Sequence, residues 1–345
     1  MAVVALDSDH AKALQLIGQL TTECPQLPIL AVSGKADGQH ILQALRSGAK
    51  EFLTQPVVLE ELLTALQRLQ RSRGGVEGSN GTGPGKVDSM VVAVIGSRGG
   101  VGCTSLAVNL GCTLSQELGQ AVSLIDLDLA LGDADVALDL MPDYTLADVA
   151  MNIERLDMQF LRRSLSKHAT GLSLLPHPVQ MEDVGLIREE HVQRVIGLLK
   201  SSYPFLILDL SKGFTPTDLT ALRASDLILL VAQLELSSLR NVVRMLLTPA
   251  GDEALADKIR VVLNRVGRDT EITLKKAEET IGKPIFWQIP NDPRAMIESR
   301  NNGVPLIQHA PRSKLQQSIR GLAETLCGGK PAEPQKTKRS LFSFK

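Results

Sequence analysis

Apolar and polar positions along the chain alternate between short apolar runs and longer segments with helical spacing. The short runs are typical of buried strands, and the segments between them are typical of helices. In the first part of the chain, the pattern predicts strands at AVVAL, PILAVS and EFLT, with helices from about His10, Gly38 and Leu59. In the second part, it predicts strands at residues 91–95, 122–126, 172–175, 205–209, 227–232, 259–264 and 285–289. Such alternation predicts parallel sheets covered by helices, so both parts belong to the α/β class.

The composition changes sharply between the two parts. Residues 74–85 read GGVEGSNGTGPG, which has no apolar periodicity and is typical of a flexible connection. Helix breakers also follow Cys327. We therefore predict a first domain at 1–71, a glycine-rich linker at 72–88, a second domain at 89–327 and a basic tail at 328–345. A length of 345 residues agrees with two domains.

Composition and charge narrow the function. With 43% hydrophobic and 22% charged residues the chain is too apolar to be disordered throughout, and its apolar runs are far shorter than the ~20 residues of a membrane span. The net charge of -1 argues against a dominant nucleic-acid surface, so we expect no nucleic-acid partner. The four cysteines form no CxxC pair, which indicates a reduced, cytoplasmic protein without a zinc site.

A glycine-rich loop follows the first strand of the second domain. The segment VVAVIGSRGGVGCTSLAVNLG runs from an apolar strand through Gly96, Gly99, Gly100 and Gly102 into a helix. Glycines let a backbone wrap around an anion, and the amides at the helix start then point at phosphate oxygens. The sequence therefore predicts a phosphate-binding loop rather than an idle turn. Its candidate nucleotide-binding residues are Gly99, Gly100, Val101, Gly102, Cys103, Thr104 and Ser105.

The loop departs from the usual GxxxxGK[ST] pattern at one position. Cys103 stands where that pattern has its lysine, whose charge acts on the β and γ phosphates. A thiol is mostly neutral at pH 7, so we expect phosphate binding by backbone amides and weak or absent ATP hydrolysis. Thr104 keeps the hydroxyl that can bind Mg²⁺, and Arg98 offers a cation earlier in the loop.

Three acids follow strands of the second domain. Asp126 and Asp128 lie in LIDLDLALGD, and Asp209 ends the run FLILD. In a parallel sheet the carboxyl ends of strands share one edge, so these acids are expected near the phosphate loop. Carboxylates there can hold a metal-bound water or orient an attacking one. Single acids at strand ends are more often turn or cap residues, but three of them beside a glycine loop favour a site.

Residues 91–325 resemble the deviant-Walker ATPases of the MinD/ParA type, whose loop runs KGGVGK[ST], and RGGVG without a following lysine is similar to their CpaE/TadZ branch. The resemblance implies a P-loop fold with a doubly wound, mostly parallel sheet, and ATP or ADP with Mg²⁺ as ligands. It implies Thr104, Asp126 and Asp209 on the metal. It further implies Asp128 as the catalytic, water-orienting acid.

The same resemblance assigns two more positions. Arg98 occupies the place of the family's lysine that reaches across a nucleotide-dependent homodimer, so it is implied to be catalytic. The segment VLNR places Asn264 and Arg265 where the family contacts adenine, and IPNDPRAMIES is similar to the family's IPxDP segment. A polar strand end without a ligand is the alternative for Asn264 and Arg265.

The first domain resembles the second half of a response-regulator receiver, which has a flavodoxin-like α/β fold. Ser33 matches the hydroxyl after the fourth receiver strand, Asp7 matches the phosphoacceptor, and Gln55 stands where receivers have lysine. The first two receiver strands and their acids have no counterpart. We therefore predict a partial receiver-like sheet with AVVAL at its edge, and an architectural role with no phosphorylation of Asp7.

A receiver-like domain fused to a MinD-like domain is the pattern of CpaE/TadZ proteins, which organise Flp/Tad pilus assembly at the cell pole. The resemblance implies a cytoplasmic, polar, nucleotide-dependent homodimer whose partners are Flp/Tad components. Alternatives are a ParA-type partition ATPase that binds DNA as a dimer, and an interaction scaffold with a vestigial loop. The tail segment KTKRSLFSFK predicts either a solvated tail or weak contact with a membrane surface.

Overall fold

The computed structural model describes residues 2–7, 9–23, 29–34, 43–44, 47–49, 51–57, 89–247, 253–267 and 271–328. They fall in two compact units, Met1–Gly83 and Pro84–Lys345. The predicted linker at 72–88, the helices predicted from about Gly38 and Leu59 for the most part, and the tail after Gly328 lie outside the described residues.

The first unit contains a small parallel sheet. Its described strands are β1 (Ala2–Ala5), β2 (Ile29–Ser33) and β3 (Glu51–Thr54), in the order β1-β2-β3. Helix α1 (His10–Glu23) covers one face, with Ala13 and Ile17 buried against the sheet. All five residues of β2 are buried, as expected for a central strand, whereas Val3 of β1 is 58% exposed. Among the described strands, the predicted edge position of AVVAL is confirmed.

The second unit is built on an eight-stranded sheet in the order β11-β10-β9-β4-β8-β5-β7-β6. Every neighbouring pair is parallel except β6 and β7. The central strands are apolar runs buried almost throughout, as strands covered on both faces must be. The strands are β4 (Met90–Gly96), β5 (Val122–Leu127), β6 (Ser166–Lys167), β7 (Ser173–Leu175), β8 (Phe205–Leu210), β9 (Leu227–Ala232), β10 (Ile259–Val266) and β11 (Ile285–Pro290).

Eleven described helices belong to this unit and cover both faces of the sheet. Alternate residues of β4 show the two layers: Val91, Ala93 and Ile95 pack in one buried cluster, whereas Val92 and Val94 pack in another. The helices are α2 (Cys103–Gln116), α3 (Leu146–Met151), α4 (Met158–Ser164), α5 (Glu189–Lys200), α6 (Pro216–Ala224), α7 (Leu236–Leu247), α8 (Glu253–Lys258), α9 (Leu274–Ile281), α10 (Pro293–Asn301), α11 (Leu306–His309) and α12 (Lys314–Leu326). The predicted doubly wound, mostly parallel fold is therefore confirmed.

Helix α2 belongs to the layer that also contains α12, and these two helices contact each other. Local signals set where several helices begin. Thr215 and Asp218 form a capping box at the start of α6, and Asp292 caps α10, which begins with Pro293.

Each of the seven predicted strands of this unit is present, and most ends agree within one or two residues. The two-residue strand β6 was not predicted, because so short a strand has no detectable periodicity. No helix in the described part of the chain is both long enough and apolar enough to cross a membrane.

Candidate nucleotide-binding site

The glycine loop connects β4 to α2 at the carboxyl edge of the sheet. Gly100 (φ 75°) and Gly102 (φ 100°) adopt left-handed backbone conformations that favour glycine. A side chain at Gly102 would also meet the amide of Asn264, with only 2.5 Å between the added Cβ and Nδ2. Gly102 provides no side-chain cap to α2, so the amides of the first helical turn are free of one and suited to an anion.

Side chains from neighbouring strands and helices hold this loop in place. Asn264 Nδ2 donates to the carbonyl of Val101 at 2.7 Å, and Arg265 Nη2 donates to the carbonyl of Gly100 at 3.0 Å. Asn241 Nδ2 donates to the carbonyl of Ser97 at 2.9 Å. These bonds turn loop carbonyls away from the anion side. Asn264 and Arg265, which the resemblance implies on adenine, therefore have a positioning role for the loop in this structure.

Cys103 lies beneath the loop rather than in front of it. Its side chain is buried, and a Cβ added at Gly96 would come within 2.7 Å of its Sγ. Burial, with the nearby charge of Asp209, raises the pKa of the thiol far above its usual value of 9.0. The thiol is therefore neutral at physiological pH, as the sequence argument assumes, and it supplies no charge to a phosphate.

The ends of β5 and β8 bring two acids side by side, because Asp126 and Asp209 are register partners. Asp209 is 1% exposed, and within the described residues neither of its carboxylate oxygens has a hydrogen-bond partner. Burial and the charge of Asp126 raise its pKa well above 3.8, and the nearby Thr104 hydroxyl opposes the rise. A buried carboxylate with open oxygens costs free energy unless something binds it.

This arrangement fits a hard cation. Thr104 and Asp209 offer hydroxyl and carboxylate oxygens, which Mg²⁺ prefers. In the described part of the chain, no group of three or more His, Cys, Asp or Glu side chains is arranged to hold a metal by itself. Mg²⁺ typically keeps waters and binds one or two protein oxygens together with substrate phosphates, so a site of this kind needs the nucleotide to be complete.

Asp126 is equally buried but differently bonded. It accepts hydrogen bonds from the amides of Asp128 (3.1 Å) and Ala134 (3.2 Å), and His177 Nδ1 lies 3.4 Å from Oδ2. A Cβ added at Gly132 would collide with the carboxylate. Burial raises the pKa of Asp126 and His177 opposes this, whereas Asp126 raises the pKa of His177. Asp126 therefore holds the loop after β5, which differs from the metal-ligand role that the resemblance implies.

Asp128 points into the site, where it meets a cation that the sequence analysis missed. Lys212 Nζ lies 3.1 Å from Asp128 Oδ2. Partial burial alone lowers the pKa of Lys212, but Asp128 more than offsets that effect, so the ammonium keeps its proton. The signal for Lys212 was its position three residues after Asp209, at the carboxyl end of β8. The sequence does not reveal that β8 lies between β4 and β5.

Arg98 lies at the rim of the site and pairs with the carboxylate of Glu235. A role on a second subunit, as the resemblance implies, requires Arg98 to leave this partner. Arg300 of α10 makes a similar pair with Asp133.

Two adjoining cavities collect most of these residues. One, of about 290 Å³, is lined by loop residues 100–105 together with Arg98, Asp128, Lys212 and Arg300. The other, of about 280 Å³, is lined by Asn264, Arg265 and the segment from Pro290 to Pro293. Gly102, Ser105 and Arg265 line both. Of the predicted site residues, Gly99, Asp126 and Asp209 line neither. A polar cavity against an amide-rich loop, continued by a second cavity, suits the phosphates and the base of a nucleotide.

The fold and this loop define a P-loop nucleotide-binding domain. Residues 92–306 match the family described as CobQ/CobB/MinD/ParA nucleotide binding domain. The chain belongs to this family, and the predicted MinD/ParA superfamily is confirmed. The comparisons leave the CpaE/TadZ branch and the receiver-like first domain as predictions.

Individual relatives cover most of the second unit. The ParA family ATPase from Chlorobium tepidum is 30% identical with a TM-score of 0.66, over 69% of this chain and 98% of that protein. MinD from Pyrococcus horikoshii, complexed with Mg-ADP, is 25% identical with a TM-score of 0.61, over 71% of this chain and 100% of that protein. The septum site-determining protein MinD of Synechocystis is 28% identical, over 69% of this chain and 89% of that protein.

Proposed function

We propose that this chain is a nucleotide-binding organiser of the MinD/ParA family that acts in Flp/Tad pilus assembly at the cell pole. The observation that carries the nucleotide part is the loop from Gly96 to Thr104, held by Asn264 and Arg265 and opening on a polar cavity. The pilus part rests on the resemblance of RGGVG without a following lysine, joined to a receiver-like first domain. The parallel sheet of the first unit is compatible with that domain.

The ligands that we propose are ATP or ADP with Mg²⁺. The MinD relative complexed with Mg-ADP supports this choice, as does the donor set of Thr104 and Asp209. Bound Mg²⁺ would neutralise phosphate charge and orient the β and γ phosphates. The amides of residues 99–105 bind the phosphates, and the cavity beside Asn264 and Arg265 takes the base.

ATP hydrolysis is absent or slow in this proposal. Cys103 is neutral and buried beneath the loop, so the loop itself contributes no cation to the transition state. Asp128 remains the candidate for orienting an attacking water, and it is held by Lys212. Nucleotide binding then acts as a slow switch between two states of the protein instead of driving rapid turnover.

The switch that we propose is a homodimer formed through the loop face. Arg98 would leave Glu235 and contact the nucleotide of a second subunit, because a guanidinium suits bidentate phosphate contact. The proposed partners are Flp/Tad assembly components, and the proposed location is the cytoplasmic side of the cell pole. Weak membrane contact by the basic tail is tested by vesicle co-sedimentation of the full chain and of a chain lacking residues 336–345.

A ParA-type partition ATPase is the second candidate. The 30% identity to the Chlorobium ParA family ATPase favours it, since that is a higher identity than to the MinD structures. Such a protein would bind DNA as a nucleotide-dependent dimer and turn over ATP. The net charge of -1 does not favour DNA binding.

The experiment that separates these functions uses the organism that encodes the chain. Deletion should abolish pilus assembly, and a fluorescent fusion of the wild type should restore it and mark the cell pole. Thr104→Ala should fail to restore pili, whereas Thr280→Ala, on the exposed face of α9, should succeed. Normal pili in the deletion strain, or nucleotide-dependent binding of the purified protein to duplex DNA, would contradict the pilus proposal and favour the partition ATPase.

A further inference from the structure

A lysine stands at the carboxyl end of β8, beside the loop that lacks one. Lys212 lines the same cavity of about 290 Å³ as Gly100 to Ser105. The strand order β4-β8-β5 explains how it reaches this position. The loop follows β4, Asp128 follows β5, and the end of β8 lies between them.

We propose that Lys212 supplies the phosphate-directed positive charge that the lysine of GxxxxGK[ST] loops supplies, but from the neighbouring strand. The inference rests on the proposed nucleotide-binding function and assigns one of its contacts. In the usual loop, the cation extends from the start of the helix toward the β and γ phosphates. Here the helix start carries the neutral, buried thiol of Cys103. Lys212 is close enough to interact electrostatically with that same position.

The other cations of the cavity are engaged elsewhere. Arg98 pairs with Glu235 and Arg300 pairs with Asp133, both at the rim. Arg265 donates to the carbonyl of Gly100 and so supports the loop backbone. Each of these guanidinium groups would have to leave its present partner to reach a phosphate in the cavity.

Lys212 needs no such exchange. An ammonium has three N–H donors, and the contact with Asp128 at 3.1 Å uses one of them. The remaining donors can bind phosphate oxygens while Asp128 keeps the group in the cavity. Its charge is also needed there, because Asp128, Asp133 and the buried Asp209 would otherwise repel a polyphosphate.

The test measures equilibrium binding of ATP, ADP and AMP, each with Mg²⁺, to the full-length chain. Lys212→Ala removes the charge, and Lys212→Arg retains it. Lys200→Ala is the matched control, because Lys200 has similar exposure (36% against 41%) and also lies near an aspartate, with Nζ 3.8 Å from Asp226 Oδ2. Asp226 directly precedes β9, so this pair lies at the amino edge of the sheet. Thermal unfolding verifies that each variant is folded.

We expect Lys212→Ala to weaken ATP binding about tenfold or more, the scale of one charged hydrogen bond, and to leave AMP binding within about twofold. Lys212→Arg and Lys200→Ala should bind ATP within a few-fold of the wild type. Wild-type affinity for ATP in folded Lys212→Ala, or equal losses for ATP and AMP, would overturn the inference alone. Failure of the wild type to bind any of the three nucleotides would overturn the proposed function, and the inference with it.

Discussion

The ends of β5 and β8 offer a direct comparison, because each carries a buried aspartate and the two are register partners. At the end of β5, the carboxylate of Asp126 is occupied by two backbone amides and faces His177. At the end of β8, Asp209 has no hydrogen-bond partner among the described residues. Equal burial thus hides opposite roles. The saturated acid supports a loop, whereas the open acid is ready for a ligand.

The two strand ends also differ in the residues that come directly after them. After β5, Asp128 points into the cavity, and the loop closes back on Asp126 through Ala134. After β8, Lys212 turns toward Asp128 and adds the cation that Cys103 does not supply. The site therefore distributes over several strand ends the functions that a standard P-loop concentrates in one segment.

The largest expected effect comes from returning the cation to the loop. Cys103→Lys should raise ATP turnover about 10³-fold, the scale of phosphate-directed cations in transition states. Steady-state phosphate release at saturating ATP measures it. Wild-type turnover as fast as that of a folded Cys103→Lys variant would show that the thiol does not limit hydrolysis. Cys112→Lys is not a useful control, since Cys112 is fully buried in the core.

Loss of the saturated acid should destabilise the protein most. Asp126→Ala leaves the amides of Asp128 and Ala134 without their acceptor, so the free energy of unfolding should fall by about 2 to 4 kcal/mol. Urea denaturation measures the change. Asp139→Ala is a control at another acid of the same region, where we expect less than about 1 kcal/mol. A loss at Asp126 no larger than at Asp139 would contradict its assigned role.

Loss of the open acid should act in the opposite direction. Because burial raises the pKa of Asp209, the folded state binds a proton more tightly than the unfolded state does. Its contribution to stability is therefore lost as pH rises from about 4 through the raised pKa. Without nucleotide and Mg²⁺, Asp209→Asn should flatten this decline and raise the Tm at neutral pH.

The same substitution should also remove the effect of Mg²⁺ on ATP affinity. Thermal melts between pH 4 and pH 8, and ATP titrations with and without Mg²⁺, measure the two effects. An Asp209→Asn variant with a wild-type pH profile and a wild-type response to Mg²⁺ would show that the open carboxylate is only structural.

The smallest effect on stability is expected at the rim. Arg98→Ala breaks a half-exposed pair with Glu235 and should change the free energy of unfolding by less than about 1 kcal/mol. It should nevertheless reduce dimer formation with a non-hydrolysable ATP analogue. Sedimentation compares it with Arg294→Ala, which removes an exposed intrahelical pair with Glu298. Equal sedimentation of wild type and Arg98→Ala would exclude a role for Arg98 across the dimer.

Much of the fold, but only part of this comparison, could be predicted from the sequence. Strand positions and the glycine loop depend on local periodicity and backbone freedom, and both are visible in the chain. The local patterns around the two acids, Ile-Asp-Leu and Leu-Asp-Leu, are almost the same. The return of Ala134 and the approach of His177 distinguish Asp126, and both are tertiary contacts. Lys212 was missed for a related reason, since its importance depends on strand order.

The central claim is that the chain binds nucleotide through a loop that contributes no lysine. Calorimetric titration of the wild-type protein with ATP and Mg²⁺, followed by turnover at the saturating concentration, tests it most directly. The account predicts saturable binding with absent or slow hydrolysis. Failure to detect saturable binding, or turnover at the rate of the Cys103→Lys variant, would contradict it.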